Sequence, residues 1–147
     1  MAGLMSLTHL ALHVADLAAC VEFYRHYCGL KIVHQRRSGA KEICWLAESG
    51  KETEFIIVMM NGGPRHEIKP GDYSHLGFAV ESKERVDQIA AQAEQAGCLI
   101  WTPREEPYPV GYYCGVRDPN GHQVEFSFGQ PLGPGAQDPI ENSQITR

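Results

Sequence analysis

Thr8-His9-Leu10-Ala11-Leu12-His13-Val14 and Ser74-His75-Leu76-Gly77-Phe78-Ala79-Val80 repeat one pattern, with histidine second in each and the two histidines 66 positions apart. Both read as β-strands. Side chains alternate faces along an extended chain, so His9, Ala11 and His13 share one face and Leu10, Leu12 and Val14 the other. The second stretch sets His75, Gly77 and Ala79 opposite Leu76, Phe78 and Val80, an apolar face suited to packing on a helix. A fold duplicated on these strands predicts two histidines in one cavity. Metal sites use such imidazoles, with a carboxylate as the usual third ligand.

Outward from the first strand, Asp16 is placed to cap a helix whose apolar residues Leu17, Cys20, Val21, Tyr24 and Cys28 recur at three- and four-residue spacing before Gly29. Leu30 to Gln35, Glu42 to Ala47 and Glu54 to Met60 read as three further strands, giving βαβββ. The segment 61–73 holds two prolines and reads as a linker. The order then restarts at Ser74. Ser82 caps a second helix striped by Val86, Ile89, Ala90, Ala93 and Ala96, with Gly97 as its stop. Strands follow at Cys98 to Thr102, Tyr112 to Arg117 and Gln123 to Phe128, the last after a Pro119-Asn120-Gly121 turn. The Pro-rich loop 103–111 between the first two is a candidate lid. The expected organisation is an N-terminal extension 1–6, one domain 7–128 made of modules 7–60 and 74–128, and a Pro/Gly-rich tail 129–147 whose end orders only against a partner.

At 147 residues with 43% hydrophobic content, the chain suffices for one core. Its net charge of −5 and scattered basic residues give no nucleic-acid or acidic-membrane footprint. No apolar run is long enough for a membrane span or a secretory signal, so a cytoplasmic protein is expected. Five cysteines, Cys20, Cys28, Cys44, Cys98 and Cys114, show no C-x-x-C pair and read as reduced packing residues.

The paired βαβββ halves, the opening run from His9 through Phe23-Tyr24 to Gly29-Leu30, and the closing Asp118-Pro119-Asn120-Gly121 followed by Glu125 resemble the vicinal oxygen chelate superfamily of glyoxalases, bleomycin-resistance proteins and extradiol dioxygenases. The resemblance covers roughly residues 7 to 128. It implies an α+β fold, two βαβββ modules forming an open cup-shaped mixed sheet, with one divalent metal ion (Zn, Ni, Mn or Fe) held by His9, His75 and Glu125. Alternation supports Glu125 independently, because Gln123, Glu125 and Ser127 lie opposite Val124, Phe126 and Phe128.

The pattern departs from the family in places that bear on function. The first-half position matching Glu125 falls among Ile57, Val58 and Met59, none of which binds a hard ion, and Glu54 is the nearest carboxylate that a shift of register could bring in. Three protein ligands leave open positions for substrate oxygens or water. The tyrosine that dioxygenases place three residues before the closing aspartate is Gly115 here. Fosfomycin-resistance transferases share the three ligands and a histidine at the place of His122, but the run after Glu125 lacks the Lys or Arg to grip a phosphonate. These departures favour a glyoxalase-like, metal-dependent lyase or isomerase acting on a small substrate with vicinal oxygens. Glu125 and His13 are its candidate catalytic residues, His13 as a base or hydrogen-bond donor. The alternatives are an Fe(II) ring-cleaving dioxygenase and a drug-binding protein without chemistry. A homodimer is expected, since open sheets leave edges that need cover.

Overall fold

The computed structural model describes residues 4–137, and they fall into two compact units. The first runs through Ile68 and takes in Pro119–Gly121; the second comprises Lys69–Asp118 and the chain from His122 onward.

In the first unit, β1 (His9–Val14), α1 (Leu17–Cys28), β2 (Lys31–Ser38), β3 (Lys41–Ala47) and β4 (Ile56–Asn61) follow the expected order. The sheet order is β1-β4-β3-β2, with β1 and β4 parallel and the other neighbours antiparallel. The Asp16 carboxylate accepts from Ala19 N at 3.0 Å and starts α1, and Gly29 ends it at φ 65°, where an L side chain would be strained. Leu12 and Val14, together with Cys20, Phe23 and Tyr24 of α1, are buried in its core. Large side chains removed from water in this way contribute about 1.5–3 kcal/mol each. The strand expected from Glu54 begins at Ile56. Residues 52–54 form a turn, with Glu54 N donating to Lys51 O at 3.0 Å, so Glu54 is not on the strand at all. Glu52 is ion-paired with Lys31, whose ammonium holds its carboxyl down at about 2.

In the second unit, β5 (His75–Ala79), α2 (Lys83–Gln95), β6 (Leu99–Glu106), β7 (Gly111–Arg117) and β8 (Gln123–Phe128) repeat the plan in the order β5-β8-β7-β6. Ser82 Oγ accepts from Arg85 N at 3.1 Å to cap α2, and Val86, Ile89, Ala90 and Ala93 bury its stripe. Strand β6 runs well past Thr102 and through Pro103. It is an edge strand and its register shifts between Trp101 and Arg104, so the missing proline N–H breaks no ladder there. The expected lid loop 103–111 therefore shrinks to 107–110.

The first part of the tail also differs from expectation, because it packs on its own unit. Gln137 N donates to Gln130 O at 3.0 Å, and Gly133 lies against Ala79. The remaining tail residues, 138–147, and the first three residues of the N-terminal extension lie outside the described residues. All five cysteines are free thiols. Burial pushes Cys114 up to about 12 and raises Cys44 too, which keeps both unreactive. Among the described residues no helix is long and apolar enough to cross a membrane.

Candidate metal centre

Register decides which side chains share the face of the second sheet opposite α2. Strand β8 pairs Gln123 with His75, Glu125 with Gly77 and Ser127 with Ala79, and on its other side Glu125 with Gly115 and Ser127 with Tyr113. Directly paired residues point the same way. His75, Glu125, Gly115 and Tyr113 therefore share a face, and Trp101, paired with Gly115, joins them.

On this face His75 Nε2 stands 3.3 Å from Glu125 Oε2. The other ring nitrogen, Nδ1, lies 2.5 Å from the Tyr73 carbonyl oxygen, which only accepts, so Nδ1 carries the hydrogen. That bond turns Nε2 toward the carboxylate. Glu125 is 8% exposed, and among the described residues its ion-pair partner is His75, with no lysine or arginine beside it. A buried carboxylate so placed calls for a compensating positive charge. Two donors bound to one ion at about 2.0–2.2 Å stand roughly 3.0–3.5 Å apart at octahedral or tetrahedral angles. The observed separation lies in that range, and a carbonyl-locked histidine beside a carboxylate is a donor set that suits a divalent ion.

The remaining predicted residues lie in the first unit. His9 is exposed on β1, its Nδ1 3.0 Å from Thr8 Oγ1. His13 donates from Nε2 to the Asn61 carbonyl at 3.0 Å, which leaves Nδ1 as its proton-accepting atom. Gly63 closes against this histidine so tightly that a Cβ would lie 2.3 Å from His13 O. Strand pairing also settles the matching position in this half. Glu125 faces Gly77, two residues beyond His75, and the residue facing Ala11, two beyond His9, is Val58. The first unit supplies no carboxylate there. Among the described residues no cluster of three or more His, Cys, Asp or Glu side chains is assembled, so His75 and Glu125 are the gathered part of the predicted set.

Several contributors escape sequence reasoning. Trp101 covers Gly115 so closely that a Cβ there would be 2.3 Å from its ring, and it meets the His75 ring edge-on at 5.6 Å between centroids. The irregular register of β6 hides this placement from simple alternation. Arg104 lies over the Tyr113 ring, 5.8 Å from its centroid, and brings a guanidinium to the same face. Gln130, beyond the last strand, reaches back to Glu125 Oε1 at 3.2 Å. The closing turn is a staple as well as a turn. Asn120 accepts from Ala15 N and donates to Pro64 O, its own carbonyl accepts from His66 N, and Arg65 donates to Pro119 O. His122 is half-buried, and its backbone N–H donates to Asp118 Oδ1 at 2.9 Å.

A sequence model of the Glyoxalase/Bleomycin resistance protein/Dioxygenase superfamily matches residues 6–126. An uncharacterized protein of Pseudomonas aeruginosa is 57% identical over 132 residues, covering 90% of this chain and 94% of the relative. Glutathione transferase FosA of Serratia marcescens is 31% identical over 129 residues, covering 86% of this chain and 82% of its own. Among solved structures, a possible glyoxalase from Bacillus cereus is 27% identical with a TM-score of 0.60, covering 84% of this chain and 98% of that one.

Proposed function

The chain belongs to the Glyoxalase/Bleomycin resistance protein/Dioxygenase superfamily, and within it we propose that the protein is a metal-dependent enzyme of the glyoxalase-like lyase or isomerase kind. His75 through Nε2 and Glu125 through Oε2 hold one divalent ion (Zn, Ni, Mn or Fe), and its remaining positions are left to substrate oxygens or water. The observation that carries this reading is the His75–Glu125 contact of 3.3 Å with Nδ1 committed to the Tyr73 carbonyl. When bound, the ion supplies a Lewis acid that two neighbouring oxygens of a small substrate chelate. His13, whose Nε2–H stays on the Asn61 carbonyl, keeps Nδ1 as its proton-accepting atom and so has the chemistry of a base. The ring-cleaving alternative loses further support, because the Trp101 ring fills the space over Gly115.

One observation favours a second reading, transfer of glutathione to a small anionic acceptor. Arg104 places on the Glu125 face a cation absent from the run after Glu125, and a glutathione transferase is among the relatives. The test is a parallel assay of hemithioacetals, α-hydroxy ketones, catechols, and an epoxide phosphonate with glutathione. Each is run with metal-free and metal-loaded protein, with and without oxygen. Metal-dependent turnover of a hemithioacetal or hydroxy ketone supports the first reading and epoxide opening the second. Oxygen-dependent ring cleavage, or tight drug binding without turnover, contradicts both.

A further inference from the structure

We infer that Gln130 is a positioning residue: it fixes which oxygen of Glu125 meets the metal and ties that carboxylate to the β6–β7 loop. The inference rests on the proposed metal site. The Gln130 amide nitrogen lies 3.2 Å from Glu125 Oε1 and 3.1 Å from the Val110 carbonyl oxygen. Both partners are acceptors, so the amide can serve them only through its two N–H bonds, and its orientation is unambiguous. Oε1 is thereby occupied, and Oε2 is the oxygen turned to His75 Nε2. Glu125 is set to bind through one oxygen.

The residue is itself held. Its carbonyl accepts from Gln137 N at 3.0 Å, and the turn it begins lies on the unit through Gly133 against Ala79. At the loop end, Gly111 approaches β8 so closely that a Cβ would lie 2.3 Å from Phe128 O. The 107–110 loop is therefore seated on the end of the strand that carries Glu125, and Gln130 bridges the two by donating to both the Val110 carbonyl and the Glu125 carboxylate. No feature of the tail's composition points to this role.

The experiment compares wild type with Gln130→Leu, which keeps volume and removes both donors, and Gln130→Ser, which keeps polarity but is too short. Mn(II) affinity is read by the paramagnetic resonance of the free ion, and the visible spectrum is read on the Co(II) form. Both variants are expected to bind Mn(II) roughly 10- to 100-fold more weakly, the usual effect of losing a group that orients a ligand. Their Co(II) bands should shift and weaken as Oε1 becomes free to bind and the coordination number rises. Wild-type Mn(II) affinity in either variant, or weaker binding with an unchanged Co(II) spectrum, overturns the positioning role. A wild type that takes up neither ion overturns instead the metal site on which the inference stands.

Discussion

The Tyr73 carbonyl and the Asn61 carbonyl treat their histidines oppositely: the first takes the Nδ1 hydrogen of His75, the second the Nε2 hydrogen of His13. One ring is left to offer Nε2 as a ligand and the other Nδ1 as a base. If His13 moves the proton, His13→Ala should lower kcat by roughly 10²–10⁴-fold while metal content stays at the wild-type level. A loss of a few-fold, measured by steady-state turnover of the metal-loaded protein, would reduce this histidine to a hydrogen bond under Gly63. Asn120 gives the contrasting case of a signature residue with a structural task. It is 2% exposed, and its side chain joins Ala15 N at 3.0 Å to Pro64 O at 3.1 Å. Asn120→Ala strands both partners and should cost about 2–3 kcal/mol in urea unfolding. A change below about 0.5 kcal/mol would show that water replaces the side chain.

Between elements, Tyr112 of β7 donates its hydroxyl to Asp87 of α2 at 2.6 Å, and that bond pushes the phenol up to about 12. A raised value means that the folded state favours the protonated phenol. Its contribution is therefore complete below pH 10, the ordinary tyrosine range, and is lost as pH rises toward 12. Tyr112→Phe should flatten that alkaline part of the stability profile in denaturant titrations between pH 8 and 12, and an unchanged slope would assign it to other groups. At this scale most of the architecture was legible. Caps at Asp16 and Ser82, helical stripes and strand alternation are local, and they gave both βαβββ orders and the shared face of His75 and Glu125. What alternation could not supply was anything set by an irregular register or a turn. Pro103 reads as a loop until β6 is known to be an edge strand with a register shift. Trp101 over Gly115 and Gln130 on Glu125 depend on contacts between segments that no local pattern records.

At the scale of the whole molecule, among the described residues each sheet ends in strands paired on one side only, β1 and β2 in the first unit and β5 and β6 in the second. Strand edges paired on one side only favour self-association, so sedimentation at micromolar concentration is expected to give a homodimer, and a monomer would contradict this. The central claim is the metal site, and elemental analysis of the purified chain after dialysis against Zn(II), Ni(II), Mn(II) and Fe(II) tests it most directly. Wild type should retain one divalent ion per chain, whereas His75→Ala and Glu125→Gln should lose most of it with their fold intact. Stoichiometric metal in both variants, or none in the wild type, would contradict the account.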